Sequence, residues 1–117
     1  MIILFFCILS FLKNEKLIFV ELQCRHGART PLGLNDNNED VLGIKWSNPG
    51  ELTDVGQRME YILGLKNRYR YITNTYNFLS EKYDPHELLV LSTHLNRTLL
   101  SMTSQLLGLY PMSSKKG

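Results

Sequence analysis

Apolar and polar positions fall into blocks along this chain, and the blocks predict two short strands and two helices. Nearly continuous apolar runs cover residues 17–24 and 87–91. Runs of this length without strict alternation are typical of strands that are buried on both faces of a parallel sheet. After each run, apolar residues recur at helical spacing.

The first predicted helix begins after Thr53, whose side chain suits an N-cap, and continues to about Tyr71. Asp54 follows in the first turn, where the positive end of the helix dipole favours a carboxylate. One face of this helix is apolar and consists of Val55, Met59, Ile62 and Leu63. Their spacing predicts that these four side chains pack inward.

The second predicted helix covers residues 96–107, and its inner face is predicted to consist of Leu99, Met102 and Leu106. Gly108 suits the C-cap, and Pro111 just beyond it cannot continue the helix. The order strand, loop, helix, strand, helix predicts an α/β fold on a mainly parallel sheet.

Polar residues that could bind a ligand or react follow both predicted strands. Arg25, His26 and Arg29 come after the first strand, and Arg97 comes after the second. In α/β sheets, ligands bind beyond the carboxyl ends of the strands. Arginine's fork of donors suits phosphate, and histidine can act as nucleophile or general acid-base. These residues therefore predict an anion site with a reactive histidine. The alternative is that the histidine is only a turn residue and the two arginines are solvated.

Composition limits the other possibilities. The 117 residues are enough for one small domain, and a net charge of +2 is too weak to indicate a nucleic-acid partner. The two cysteines, Cys7 and Cys24, make no disulfide framework, and no metal-ligand spacing is present. No pattern predicts an oligomeric state.

The N-terminal residues 1–12 are apolar apart from Ser10. The run is too short to span a bilayer and has the length of a signal-peptide core, although no basic residue precedes it and no small-x-small cleavage site follows. We favour a signal peptide over residues 1–15 rather than a buried helix. This predicts the secretory route, with a lysosome-like or extracellular destination, and membrane contact only through an uncleaved leader.

Four segments occur in order along the chain: Arg25-His26-Gly27-x-Arg29-x-Pro31, Gly50-Glu51-Leu52-Thr53-x-x-Gly56, Ser92-Thr93-x-x-x-Arg97-Thr98 and Gly108-Leu109-Tyr110-Pro111. With these segments the chain resembles the histidine acid phosphatases, a branch of the histidine phosphatase superfamily. The resemblance implies a phosphoglycerate mutase-like, three-layer α/β/α fold with a mainly parallel sheet. Residues 16–117 would be the N-terminal portion of its catalytic domain.

The resemblance also implies a mechanism. His26 would attack a phosphomonoester and form a phosphohistidine, while Arg25, Arg29 and Arg97 would bind the phosphoryl oxygens. Nearby arginines favour the neutral, nucleophilic imidazole. No metal or cofactor is implied, and the substrates would be small-molecule or protein phosphomonoesters.

Two departures from the family pattern qualify this expectation. Leu91 stands where the family often has an arginine before Ser-Thr. The sequence contains no His-Asp dipeptide, which supplies the proton donor in the family. We therefore expect the N-terminal part of a truncated phosphatase; the alternative is an inactive fragment or a phosphate-binding remnant without that acid.

Two rival phosphatase classes fit less well. A cysteine-based phosphatase needs five residues between cysteine and arginine, whereas Cys24 and Arg29 have four between them. The phosphoglycerate mutase branch lacks the Ser-Thr-x-x-x-Arg-Thr arrangement in this form and seldom carries a leader.

The tripeptide Asn96-Arg97-Thr98 is an N-glycosylation sequon. A glycan on Asn96 would lie beside Arg97, one of the implied phosphate ligands. We expect the sequon to be unused, because the site must stay open.

Overall fold

The computed structural model describes residues 16–112, and its regular structure is helical. Helix α1 spans Asp54–Arg68 and continues into a π-helical turn, Tyr69–Thr73. Helix α2 spans Asn96–Leu109. The rest of the described chain is irregular, and the predicted signal peptide lies outside it.

The predicted start of α1 is confirmed. The Oγ1 atom of Thr53 accepts a hydrogen bond from the N–H of Gly56 at 3.1 Å, which satisfies one of the free donors of the first turn. Asp54 lies in that turn, as expected. The helical path reaches Thr73, slightly beyond the predicted end at about Tyr71, and its last turn has π geometry.

Helix α2 begins at the predicted residue and ends two residues later than predicted. Gly108 lies inside the helix and is buried, so its prediction as a C-cap is wrong; Tyr110 takes that position. The N–H of Tyr110 donates to the carbonyl oxygen of Leu106 at 2.8 Å. The reason for a glycine at this place is the packing of the two helices.

The two helices meet through small residues. A Cβ atom on Gly64 would overlap the carbonyl oxygen of Gln105 and lie 3.0 Å from the Cα of Gly108. A Cβ atom on Gly108 would overlap the carbonyl oxygen of Tyr61. Close approach of this kind explains why α1 tolerates glycine, which lowers helix stability by about 1 kcal/mol relative to alanine.

The predicted inner face of α1 is wrong for three of its four residues, and the fourth, Leu63, is half-buried. Val55, Met59 and Ile62 are 65%, 54% and 44% exposed. The buried residues lie on a different stripe and are small or polar: Gly56, Glu60, Gly64 and Asn67. The apolar pattern does not orient this helix, because the close approach of the α1 and α2 backbones decides which face is buried.

The inner face predicted for α2 is also only partly correct. Met102 and Leu106 are half-buried, but Leu99 is 39% exposed. The buried residues of this helix are Ser101, Gly108 and Leu109. As in α1, the contact stripe is set by residues that allow close approach.

Neither predicted strand forms within residues 16–112, so the predicted parallel sheet is not present there. Ile18 in the first segment is 84% exposed, and Leu91 in the second is 82% exposed. A strand is held by hydrogen bonds to a neighbouring strand, and neither apolar segment has one among the described residues. The described residues therefore show the predicted helices without the predicted sheet.

The core is small. Its buried apolar side chains are Leu52, Tyr71, Ile72 and Leu109, and none of the described large side chains is completely buried. At the far end of the helix pair, Arg68 donates through Nη1 to the carbonyl oxygen of Leu109 at 3.0 Å. This bond satisfies a C-terminal carbonyl of α2 and joins the ends of both helices.

The polar segment before α1 forms a short loop. Glu39 and Lys45 make an isolated antiparallel bridge. Between them, Asp40 accepts a hydrogen bond from Nε1 of Trp46 at 3.0 Å, and this bond, with others from the backbone, lowers the pKa of Asp40. The backbone N–H of Trp46 also donates to the carbonyl oxygen of Asn38 at 2.8 Å, so Trp46 is bound to this loop through both its ring and its backbone.

Neither helix in the described part of the chain combines the length and the apolar character needed to cross a bilayer.

Candidate active site

His26 lies at the end of the exposed first segment, and its ring is half-buried. Its Nδ1 atom lies 2.8 Å from the carbonyl oxygen of Gly27. A carbonyl can only accept, so the hydrogen bond requires the proton on Nδ1. The neutral imidazole then carries its lone pair on Nε2, which is the atom available for nucleophilic attack.

Gly27 fixes the position of this histidine by contacting both helices. Its N–H donates to Oγ of Ser101 on α2 at 3.1 Å. On the other side, a Cβ atom at this position would lie 2.5 Å from the carbonyl oxygen of Gly56 on α1. Only glycine allows the loop to enter this gap, so the signature Arg-His-Gly has a packing reason for its last residue.

Two threonines hold the remainder of the loop. The N–H and Oγ1 of Thr53, the N-cap of α1, both donate to the carbonyl oxygen of Ala28 at 2.9 Å. The N–H of Thr30 donates to the carbonyl oxygen of Glu51 at 2.9 Å, and its Oγ1 accepts from the Glu51 N–H at 3.0 Å. The loop is therefore bound to the start of α1 at both ends of the Ala28–Thr30 stretch.

The two arginines of the loop have different surroundings. Arg25 is exposed. Arg29 is half-buried, forms a bridge with Leu52, and donates through Nη1 to the carbonyl oxygen of Thr30 at 2.9 Å. The structure therefore holds Arg29 close to the loop backbone, while Arg25 faces solvent.

Arg97 is joined to the same loop through Ser101. The Oγ atom of Ser101 donates to the carbonyl oxygen of Arg97 at 2.7 Å and accepts from Gly27. The guanidinium of Arg97 reaches Gly50, where its Nη1 would lie 3.8 Å from a Cβ atom. Within residues 16–112, its buried Nε has no hydrogen-bond partner. These contacts bring the backbone of Arg97 close to that of Gly27, the residue that follows His26.

Sequence reasoning missed Ser101 and Glu60. Ser101 lies one turn after Arg97, and this spacing was a usable signal because such residues share a helix face. Glu60 is a charged residue on an otherwise small, buried stripe of α1, only 7% exposed. Burial raises its pKa, while a hydrogen bond from Gln105 and the charge of His26 lower it.

Comparison with known proteins identifies what this site resembles. The family model described as "Histidine phosphatase superfamily (branch 2)" matches residues 16–116. The match includes the candidate site and both helices.

Curated proteins similar to this chain are acid phosphatases. Lysosomal acid phosphatase of Xenopus laevis is 35% identical over 111 residues, which cover 95% of this chain and 25% of that protein. Testicular acid phosphatase of Homo sapiens is 39% identical, with 86% and 23% covered. Prostatic acid phosphatase of Bos taurus is 36% identical, with 85% and 24% covered. The chain therefore spans about a quarter of the length of these relatives.

Proposed function

Because the chain belongs to the histidine phosphatase superfamily (branch 2), whose members have an α/β fold, we propose that residues 16–117 form the N-terminal portion of an acid phosphatase catalytic domain. The names of the relatives support hydrolysis of phosphomonoesters as the family activity. Small-molecule or protein phosphomonoesters are the substrates we propose. His26, Arg25, Arg29 and Arg97 are the residues that we propose for the site.

His26 is the nucleophile of the proposed reaction. Its Nε2 lone pair forms a bond to phosphorus, and the ester P–O bond breaks with its electron pair going to the alcohol oxygen, which takes a proton from a water molecule. Water then attacks the phosphohistidine and releases phosphate. The observation that carries this proposal is the Nδ1–H bond to the Gly27 carbonyl oxygen, because it leaves the lone pair on Nε2.

The three arginines bind the phosphoryl oxygens. Support for Arg97 comes from its buried Nε, an N–H that has no acceptor among the described residues and that a phosphoryl oxygen would satisfy. Support for Arg29 comes from its anchored backbone beside Leu52. Preorganised donors of this kind are worth roughly 2.7–4 kcal/mol each in the transition state.

A second candidate function is phosphate binding without turnover. One observation favours it: the given sequence contains no His-Asp dipeptide, the pair that the resemblance implies as proton donor. Without an acid for the leaving group, the alkoxide would have to leave unprotonated, which slows the first step.

Turnover of a chromogenic phosphomonoester at acidic pH separates the two candidates. The wild-type chain would be compared with His26→Ala and Arg97→Ala, and with His86→Ala as a control for loss of an exposed histidine. We expect turnover in the wild type and in the control only. Equal turnover in all four proteins would end the enzyme proposal for this chain.

Phosphate binding tests the assigned roles without requiring turnover. Calorimetry should show that His26→Ala binds inorganic phosphate better than Arg29→Ala does, because the arginine is a ligand and the histidine is a nucleophile. The reverse order would contradict these roles.

We also propose that the protein enters the secretory route through residues 1–15, with a lysosome-like or extracellular destination. The name of the Xenopus laevis relative supports this route. Expression of the full sequence in a eukaryotic cell, followed by N-terminal sequencing of the purified product, tests it. A product that starts at Met1 would contradict a cleaved leader.

A further inference from the structure

Glu60 is a buried acid that the proposed mechanism does not use. It is 7% exposed and lies in the contact between the helices, where Nε2 of Gln105 donates to its Oε2 atom at 3.1 Å. A buried carboxyl is costly unless a partner compensates its charge. One neutral hydrogen bond from an amide does not supply a counter-charge.

Helix geometry brings this carboxyl toward the candidate site. Glu60 follows Gly56 by one turn on the same buried stripe, and helical side chains lean toward the preceding turn. That preceding turn is the one that Gly27 contacts. On α2, Gln105 likewise follows Ser101 by one turn, and Ser101 accepts a hydrogen bond from the Gly27 N–H. Glu60 and Gln105, which bond to each other, therefore lie one helical turn from the two residues that contact Gly27.

The charges around this point are of mixed sign. The loop contributes His26, Arg25 and Arg29, α2 contributes Arg97 and the neutral Gln105, and α1 contributes Glu60. The positive charge of His26 acts on the Glu60 carboxyl and opposes the effect of its burial. Opposite charges attract, so this interaction exists only when Glu60 is ionised and the ring is cationic.

We propose that Glu60 is a positioning residue for His26, whose carboxylate stabilises the positive imidazole ring formed when Nε2 attacks phosphorus. This inference rests on the proposed function. When Nε2 gives its lone pair to phosphorus, the ring keeps the Nδ1 proton that is bound to the Gly27 carbonyl oxygen, so the ring becomes cationic. The arginines that bind phosphate disfavour this cation, and Glu60 offsets them from the side of α1.

The first test concerns the pair alone and needs no phosphoryl transfer. The Glu60 carboxyl carbon would be titrated by NMR in the wild type, in His26→Gln and in His86→Gln, which removes an exposed histidine outside the site. Loss of the His26 charge should raise the pKa of Glu60 further, while His86→Gln should leave it unchanged. Identical titration of Glu60 in all three proteins would overturn the pairing.

The second test concerns the chemical step, with phosphoramidate as phosphoryl donor. Nε2 of His26 forms the bond to phosphorus, and the P–N bond breaks with its electron pair leaving on nitrogen as ammonia. Because the donor carries its own proton on nitrogen, the step needs no protein acid. The product, phosphohistidine, is measured by ³¹P NMR.

Glu60→Gln keeps the size and hydrogen-bonding capacity of the side chain but removes its charge. We expect phosphohistidine to form about tenfold more slowly, since an opposite charge nearby changes such equilibria by about one decade or more. Asp54→Asn removes an exposed carboxylate from the same helix and should have no effect. Glu60→Asp, which restores the charge, should recover part of the rate.

The pH profile separates this role from a structural one. The difference between wild type and Glu60→Gln should shrink as the pH falls through the titration of Glu60, because the protonated acid then resembles glutamine. A constant ratio at every pH would overturn the proposal. If no protein forms phosphohistidine, the proposed function fails, and the titration of Glu60 still decides whether the pair exists.

Discussion

The loop around His26 and the apolar segment before it are neighbours in sequence, yet the loop is anchored by hydrogen bonds and the segment is exposed. The loop is held by hydrogen bonds to both helices through Gly27, Ala28 and Thr30. The segment at 17–24 forms no strand and exposes Ile18 and Phe19 by 84% and 74%. These partners of the loop lie within the described chain, whereas a strand requires an adjacent strand to satisfy its backbone.

The helix contact is the foundation of the anchored region, so its loss should have the largest effect. Gly64→Val would force a branched side chain against the Gln105 carbonyl, and overpacking costs up to about 3 kcal/mol. Urea unfolding followed by circular dichroism at 222 nm should show this decrease in the free energy of unfolding. Gly33→Val is the matched control, because Gly33 has no atom within 4 Å of an added Cβ. Equal loss in both variants would contradict the close packing.

Removal of the bond between Ser101 and Gly27 should have the next largest effect. Ser101→Ala leaves a buried N–H without its acceptor, which costs about 1–3 kcal/mol. The amide hydrogen of Gly27 should also exchange faster with solvent. Thr103→Ala is the control. Like Ser101, Thr103 donates through its hydroxyl to a carbonyl oxygen one turn earlier in α2, that of Leu99, but Thr103 is exposed. Unchanged exchange at Gly27 would refute this anchoring.

Loss of the N-cap should cost less. Thr53→Ala removes the acceptor for the Gly56 N–H and a donor to Ala28, and N-cap replacement by alanine typically costs about 1 kcal/mol. Thr53→Ser retains both functions and should restore most of the stability. The free energies of unfolding of the two variants give the comparison, and equal values would show that the hydroxyl has no role.

Glu60 makes the stability of the fold depend on pH. Burial raises its pKa in the folded state, so the folded chain holds this proton at a pH where the unfolded chain has lost it. Stability should therefore fall as the pH rises from the unfolded to the folded pKa of Glu60. Glu60→Gln should lack this fall and become the more stable protein at neutral pH. Parallel curves of free energy against pH for the two proteins would contradict the assignment.

Substitution in the unpaired segments should have the smallest effect. Leu91 is 82% exposed, so Leu91→Ser should change the free energy of unfolding by less than about 0.5 kcal/mol. Ile72→Ser, in the core at 5% exposure, is the contrasting variant and should destabilise clearly. A large loss in Leu91→Ser would mean that this segment is packed in solution.

Local signals explain what the sequence predicted well. The cap at Thr53 and the start of α2 at Asn96 depend on residues within one or two turns, so both were found. The inward faces depend on the partner helix, and the small residues Gly64 and Gly108 decided them against the apolar pattern. Apolar strand patterns predict a sheet only together with the strands that pair with them.

The same limit applies to the candidate site. The signature from Arg25 to Pro31 was visible because its residues are contiguous, and Arg97 was visible through its place after an apolar run. Glu60 matters only through its contact with Gln105 on the other helix, which no local pattern records, whereas Ser101 could be found from its position one turn after Arg97.

The amide of Gly27 offers one practical consequence. Its hydrogen bond to Ser101 and its contact with Gly56 tie a single N–H group to the register of two helices. A slide of α2 along α1 would change the length of that bond, because the neighbouring loop residues are bonded to the start of α1. The chemical shift of the Gly27 amide in a ¹⁵N spectrum should therefore report the position of α2 along α1, for example when a buffer or an added compound is changed.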